Sequence, residues 1–162
     1  IDFPAIRQGL AEFGGMGRRF QILGEVGNVT IIDDYGHHPT EIKMTLDAAK
    51  ACWPERRVVV VFQPHRYSRT RALLDEFTRA FYQSDVLCVL PIYAAGEDRI
   101  EGITGERLCE GIKAHGHKQV VYVESIAAAV AHLREILVPG DLLLTLGAGD
   151  VWKVGAEVLK DV

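Results

Sequence analysis

Five short apolar runs, recurring about every 25–30 residues, the length of one strand–helix unit, constrain the fold of this chain most strongly. Each run is apolar nearly throughout, whereas a strand with one wet face alternates polar and apolar residues. Continuous apolar runs are typical of strands covered on both faces, so they predict a mostly parallel sheet. The runs are Val29–Ile32, Val58–Phe62, Val86–Leu90, Val120–Val123 and Leu142–Leu146.

Helical periodicity fills the intervals between the runs. Apolar stripes predict amphipathic helices at Ile42, Leu46, Ala49 and Trp53, at Leu73, Phe77 and Phe81, and at Ile126, Val130, Leu133 and Leu137. Thr104 and Ser125 are expected to cap helices at their N-termini, and Gly116 to end one. A last helix is expected from about residue 151 to the end. This alternation, with right-handed crossovers, predicts a Rossmann-like α/β fold with helices on both faces of the sheet.

The N-terminal part of the chain follows a different pattern. Ala5–Phe13 has helical periodicity, and a β-hairpin with its turn at Glu25–Asn28 leads into the first apolar run. Gly14, Gly15 and Gly17 lie between the two and predict a hinge, although a simple loop would have the same composition.

Charge and cysteine content exclude several classes of function. The 162 residues carry a net charge of -4, which leaves no basic excess for binding nucleic acid. No run approaches the roughly 18 apolar residues of a membrane span. The cysteines are odd in number and lack a CxxC pair, which favours reduced thiols in a cytoplasmic protein. The chain begins without methionine or signal peptide, so we expect a piece of a longer protein.

Polar residues gather directly after the apolar runs. They lie at residues 33–38, Gln63–Arg71, Pro91–Arg99 and Gly147–Asp150. Ligands of parallel α/β sheets bind beyond the carboxyl ends of the strands, so these segments are predicted to face a shared cleft. The opposite edge of the sheet carries ordinary connections.

The second of these segments contains "PHRYSRTR". Ser68 or Thr70 is expected to begin a helix, so that Arg66, Arg69 and Arg71 surround its N-terminus. Cations there oppose the helix dipole at a cost of about 0.3–1 kcal/mol each. Helix amides and guanidinium groups together instead favour a carboxylate or phosphate. The alternative is that the three arginines are solvated on a loop and bind no ligand.

Three histidines raise the question of a metal site. His37 and His38 follow the first run, and His65 is expected at the end of a neighbouring strand. Nearby arginines repel a cation, and His38 is expected to cap the helix that Pro39 opens, so we predict no metal site. The sequence "GAGD" lacks the third glycine of a dinucleotide fingerprint, and no GxxxxGK[ST] phosphate loop is present.

Four motifs in order resemble the C-terminal domain of the Mur ligase family. They are "GRRFQ" (Gly17–Gln21), "DDYGHHPTEI" (Asp33–Ile42), "FQPHRYSRT" (Phe62–Thr70) and "LGAGD" (Leu146–Asp150). Each is weak alone, but together they are specific and span essentially the whole chain. The residues of the second and third motifs favour the member that adds L-alanine to UDP-N-acetylmuramate. The alternative is the recycling member that attaches a tripeptide to the same sugar.

The resemblance implies one domain of a three-domain enzyme. The first domain holds the UDP-sugar, the central one carries the phosphate loop, the Mg²⁺ ligands and a modified lysine, and the third closes over the site. ATP phosphorylates the muramate carboxylate, and the amine of the amino acid then attacks the acyl phosphate. Residues 1–16 would be the tail of the central domain and the hinge, and residues 17–162 the C-terminal domain. ATP and Mg²⁺ would be the cofactors, and the other domains of the same chain its partners.

The resemblance also implies roles for single residues. Arg19 would reach the terminal phosphates of ATP, with Arg18 a second candidate, and Asp34 would contact the nucleotide at its ribose from a position beyond the core. The region around the incoming amino acid would comprise Tyr35, His37, His65, Arg66 and Arg69. A carboxylate needs a fixed cationic fork, and either histidine could assist the amine by taking its proton.

Two other classes of function remain open from the sequence. The chain could be a stand-alone module that binds an amino acid or another carboxylate without chemistry. It could also be a metal-dependent hydrolase built on the histidines, which would hold stoichiometric metal.

Overall fold

A single six-stranded sheet forms the centre of the computed structural model, which describes residues 1–12 and 15–160. The strands are β1 (Gln21–Val26), β2 (Val29–Asp34), β3 (Val58–Phe62), β4 (Val86–Val89), β5 (Val120–Tyr122) and β6 (Leu142–Leu146). Their order across the sheet is β1-β2-β6-β3-β4-β5. Every neighbouring pair is parallel except β1 and β2. The predicted mostly parallel sheet with an N-terminal hairpin is confirmed.

Helices cover both faces of this sheet. They are α1 (Phe3–Glu12), α2 (Pro39–Cys52), α3 (Tyr67–Ala72), α4 (Leu74–Thr78), α5 (Gly105–Ala114), α6 (Ile126–Ile136) and α7 (Trp152–Val158). On one face, α2, α4 and α5 pack on the sheet, where the Phe62 ring lies 5.6 Å from Phe77 and 5.0 Å from Phe81. On the other face, α6 and α7 supply buried residues such as Leu133 and Val154. None of the helices in the described part of the chain is long and apolar enough to cross a membrane.

Local sequence signals explain where several elements begin and end. The hydroxyl of Thr104 accepts a hydrogen bond from the backbone N–H of Arg107, and that of Ser125 from Ala128, so both predicted N-caps are confirmed. Gly116 follows α5 with φ at +97°, a conformation that suits glycine. The hairpin turns through residues 27 and 28, both with positive φ, as a tight two-residue turn requires.

Two expectations are corrected by the fold. β6, the last strand, lies between β2 and β3, so His65 does not follow a strand adjacent to the one before His37. The helix after β3 begins at Tyr67 and breaks at Leu73, whose φ of -116° ends α3 and starts α4. Gly14 of the predicted hinge lies outside the described residues, as do Phe13 and residues 161–162, the ends of two predicted helices.

Candidate functional site

The loops that follow β2, β3 and β4 meet at the carboxyl edge, the edge of the sheet at which the parallel strands end. The ring of His65 lies between the two other loops, 5.8 Å from the His37 ring and stacked on Tyr93 at 5.5 Å, measured between centroids. A parallel bridge joins His65 to Tyr93. The loops that the sequence predicted to face one another therefore do meet at this edge, where β6 lies between β2 and β3.

Arg69 contacts His65 directly. Its Nη1 donates to the backbone oxygen and to Nδ1 of His65, each at 3.2 Å. Because arginine can only donate, Nδ1 of His65 accepts, and the proton of the neutral ring sits on Nε2. Burial, and then the positive charges of Arg69, His37 and Arg66, lower the pKa of His65. His65 is therefore neutral at neutral pH and presents an N–H donor.

His37 has the opposite arrangement. Its Nδ1 lies 3.0 Å from the carbonyl oxygen of Tyr35, so Nδ1 carries the proton and Nε2 of the neutral ring is left to accept one. The Tyr35 ring packs edge-on against the His37 ring at 5.4 Å. Glu41 holds the loop from below by accepting from the backbone N–H groups of His37 and His38. The neighbouring His38 caps α2 through Nδ1, as predicted.

Arg66 occupies the N-cap position of α3 with φ at +74°, a strained conformation for any residue but glycine. Its N–H donates to the carbonyl of Tyr93 at 2.8 Å, which fixes the backbone there. The side chain is half exposed, and its Nη1 lies 4.0 Å from the Glu97 carboxylate. Arg69 is the third of the six residues of α3 and belongs to its first turn as well as its last, whereas Arg71 lies in the last turn alone. The expected cost of cations at a helix N-terminus therefore applies to Arg66 and Arg69.

Arg18 and Arg19 both lie over the Tyr35 ring, but they are held differently. Arg18 donates to the Asp33 carboxylate at 2.8 Å and to the carbonyl of Gly147 at 2.6 Å, so it ties the hairpin to the loop after β6. Arg19 is 48% exposed, and its nearest carboxylate is 3.7 Å away. Of the two, Arg19 is the one whose guanidinium is available to a ligand.

Asp34 is not beyond the core, as its place after an apolar run suggested. It is the last residue of β2 and is 6% exposed. Its carboxylate accepts from the N–H groups of Phe20 at 2.8 Å and Gly36 at 2.7 Å, and from the Thr45 hydroxyl at 3.2 Å. This geometry favours a structural role for Asp34, because three donors of its own chain already occupy the carboxylate.

The glycine-rich loop after β6 packs tightly under the site. A Cβ on Gly149 would collide with the Gln63 amide and lie 2.8 Å from the Tyr93 ring, so only glycine fits there. The Gln63 amide donates to Asp150 at 2.8 Å. The segment thus lets the backbone pass close to the cleft. Within residues 1–12 and 15–160, no group of three or more His, Cys, Asp or Glu side chains is placed to hold a metal ion.

Three residues of the site received no role from the sequence. Glu41 could have been found, because His38 and Glu41 have the spacing of a capping box with histidine in place of serine. Tyr93 and Glu97 lie in Pro91–Arg99, a segment predicted to face the same cleft as the loop after β3, but no local pattern indicated their contacts with His65 and Ser68. Only the packing of the two loops brings them to the site.

Known proteins resemble this chain over most of its length. Residues 18–149 match the family described as "Mur ligase, glutamate ligase domain". Over 160 residues the chain is 63% identical to the UDP-N-acetylmuramate–L-alanine ligase of Desulfosudis oleivorans and 57% identical to that of Desulforapulum autotrophicum. In both cases the match covers 99% of this chain and 35% of the relative, so the chain spans about a third of their length.

Solved structures share the fold. The UDP-N-acetylmuramate-alanine ligase of Thermotoga maritima superposes with a TM-score of 0.76 at 27% identity, covering 99% of this chain and 33% of that one. A murein peptide ligase from Psychrobacter arcticus gives 0.74 at 21% identity, covering 94% and 31%, a likeness in fold alone. Because the matched residues 18–149 are most of the sequence, the chain belongs to the Mur ligase family.

Proposed function

We propose that the chain is the C-terminal domain of a cytoplasmic, ATP-dependent ligase that joins L-alanine to UDP-N-acetylmuramate in peptidoglycan synthesis. Its role is to close over ATP and to position the amino acid. The relatives that match nearly the whole chain are named as that ligase, at 63% and 57% identity. One observation carries the proposal: Arg66, Arg69, His37 and His65 converge at the carboxyl edge.

The arrangement suits an amino acid whose amine must attack an acyl phosphate. Arg66 and Arg69 supply cations for the α-carboxylate, since a guanidinium binds a carboxylate through two parallel hydrogen bonds. The attacking amine must lose a proton, and Nε2 of His37 is free to accept it. His65 presents Nε2–H as a donor. We therefore assign proton acceptance to His37 and orientation of the substrate to His65.

ATP supplies the phosphoryl group that activates the muramate carboxylate. In this chain, Arg19 would contact its phosphates, because that guanidinium is half exposed and loosely paired. We keep the ribose of the nucleotide as a proposed contact of Asp34, through Oδ2, since two of its three donors, Gly36 and Thr45, bond to Oδ1 instead. We assign the Mg²⁺ ligands and the phosphate loop to the central domain.

The domain division is part of the same proposal. Residues 1–16 would be the tail of the central domain and the hinge, and residues 17–162 the C-terminal domain. α1 supports this, because none of its residues is buried and its apolar side chains Phe3, Ile6 and Leu10 are 74%, 47% and 71% exposed. A stripe of that kind is typical of a helix that packs on another domain.

The test of the amino-acid site is Arg66→Ala and Arg69→Ala in the full-length enzyme. Each should raise the KM for L-alanine far more than the KM for ATP. Losing one charged hydrogen-bond partner costs about 1.5–3 kcal/mol, or roughly 10- to 150-fold in kcat/KM for alanine. Lysine should rescue only partly, because it keeps the charge and loses the fork. Arg71→Ala, on the same short helix, is the matched control. Unchanged alanine kinetics in both variants would place the amino-acid site elsewhere.

The histidine assignment has its own test. His37→Gln should lower kcat about 100-fold or more, the usual contribution of a positioned base, with a smaller effect from His65→Gln. The reverse order would exchange the two roles.

The 162-residue chain alone should show no ATPase or ligase turnover, because its sequence has no phosphate loop. Phosphate release above blank would contradict the assignment. Ligation of a tripeptide in preference to L-alanine would favour the recycling enzyme.

A further inference from the structure

The carboxylate of Glu97 sits at the start of α3, beside the proposed anion site. It accepts the backbone N–H of Ser68 at 2.9 Å and the Ser68 hydroxyl at 2.6 Å. The Arg66 guanidinium lies 4.0 Å away. The hydrogen bonds from Ser68 lower the pKa of Glu97, so the carboxyl is ionised wherever the site is active. Glu97 is thus a fixed negative charge next to one of the two arginines.

The chain is bent at both ends of this contact to bring the groups together. The turn before Glu97 has positive φ at Ala95, +51°, and at Gly96, +84°, and it is closed by the Glu97 N–H donating to Ala94 at 3.0 Å. Arg66, on the other side, has φ at +74°. Strained non-glycine backbone persists only where the surrounding structure holds it, and it concentrates at functional sites. One such residue, Ala95, lies two positions before Glu97, and the other is Arg66 itself.

We propose that Glu97 is a positioning residue for Arg66 in the amino-acid site. This rests on the proposed function above. Glu97 occupies the first-turn donors of α3, and its charge draws the Arg66 side chain toward the cleft. At 4.0 Å it restrains the guanidinium while leaving its donors free for a substrate carboxylate. A flexible arginine loses more rotamer freedom on binding, so a restrained one binds its anion more tightly.

The experiment compares Glu97→Ala, Glu97→Gln, Arg66→Ala and the double variant Glu97→Ala/Arg66→Ala in the full-length ligase. Glu97→Ala should raise the KM for L-alanine about three- to tenfold, the range of one hydrogen-bonded contact, with kcat and the KM for ATP nearly unchanged. Glu97→Gln keeps an acceptor for Ser68 and should show a smaller rise. Asp98→Ala, which removes an exposed charge one position along, should leave alanine kinetics unchanged.

The double variant separates positioning from an independent effect. If Glu97 acts through Arg66, the double variant should bind alanine no more weakly than Arg66→Ala alone. Additive losses in the double variant would overturn the proposal. So would a Glu97→Gln variant with a normal melting temperature and an unchanged KM for L-alanine, if Arg66→Ala raises that KM. If Arg66→Ala itself leaves the alanine KM unchanged, the amino-acid site proposed above fails, and positioning by Glu97 fails with it.

Discussion

The two edges of the sheet both carry arginines, but they hold them in opposite ways. At the amino edge, where the parallel strands begin, Arg57 forms two hydrogen bonds of 2.9 and 2.7 Å with the buried Asp141 carboxylate. Arg56 donates to four acceptors of its own chain at 2.7 to 3.1 Å. At the carboxyl edge, Arg19 and Arg66 are 48% and 51% exposed, and their nearest carboxylates are 3.7 and 4.0 Å away.

The difference separates structure from function within one residue type. A guanidinium whose donors are all satisfied by its own chain closes a fold and has nothing left for a ligand. A guanidinium held loosely beside a cleft contributes little to stability, and its donors remain available to a carboxylate or phosphate. The comparison predicts that substitutions at the amino edge lower stability and that those at the carboxyl edge lower activity.

The largest effect on stability is expected at the amino edge. Asp141→Ala leaves Arg57 and the N–H of Val138 without their acceptor. Asp141 is buried but Arg57 is 36% exposed, so solvent screens part of the attraction. Losing these charged hydrogen bonds should cost about 2–3 kcal/mol, which urea denaturation of the chain should show. Glu55→Ala, an exposed acid on the connection before β3, should show almost none. A loss below about 1 kcal/mol for Asp141→Ala would mean that this edge is not a structural clamp.

Asp34 tests whether a residue at the carboxyl edge can also contribute to stability. Asp34→Ala removes the acceptor of three hydrogen bonds, so the free energy of unfolding should fall by about 2 kcal/mol. Asp34→Asn keeps one oxygen and should lose less. If Asp34→Ala leaves the free energy of unfolding unchanged and raises the KM for ATP in the full-length enzyme, Asp34 serves only the nucleotide.

The third prediction concerns protonation at the carboxyl edge. In an NMR titration of the chain, His65 should titrate below the ordinary pKa of 6.5, because burial and neighbouring cations disfavour its charge. Arg69→Gln should raise that pKa by removing one of those cations. Since the folded-state pKa is lowered, the stability that His65 contributes is present above pH 6.5 and is lost as the pH falls through the lowered value. A His65 pKa at or above 6.5 would contradict the packing described here.

The smallest effect is expected at Arg66. Arg66→Ala should change the free energy of unfolding by no more than about 0.5 kcal/mol, because the side chain is exposed and loosely paired. Arg66→Gly should be as stable as the alanine variant or slightly more so, since glycine accepts the positive φ without strain. A glycine variant clearly less stable than alanine would show that the backbone at Arg66 is not strained.

Much of the fold follows from local patterns in the sequence. The apolar runs mark the five parallel strands, because only strands buried on both faces need such runs. Thr104, Ser125 and His38 mark helix starts, because their side chains can accept the unpaired N–H groups of a first turn. These features are local, so the sequence shows them directly.

The features that the sequence did not reveal depend on distant contacts. The insertion of β6 between β2 and β3 is a choice among pairings that the apolar runs allow equally. The break at Leu73 shortens α3 to six residues and places Arg71 in its last turn. The burial of Asp34 depends on donors from the hairpin and from α2. Glu97 reaches Ser68 only because the loops after β3 and β4 bridge.

The place of β6 has a consequence for how the protein is made. It is the last strand to leave the ribosome and yet the middle of the sheet, with β2 on one side and β3 on the other. Until residues 142–146 emerge, the two halves of the sheet have no strand to join them, and His37 and His65 belong to separate pieces. Synthesis proceeds at about 5–20 residues per second, so the incomplete sheet waits seconds for its central strand. The carboxyl edge is therefore completed only after residues 142–146 emerge, and a nascent chain that lacks them cannot bring the loops after β2 and β3 together across β6.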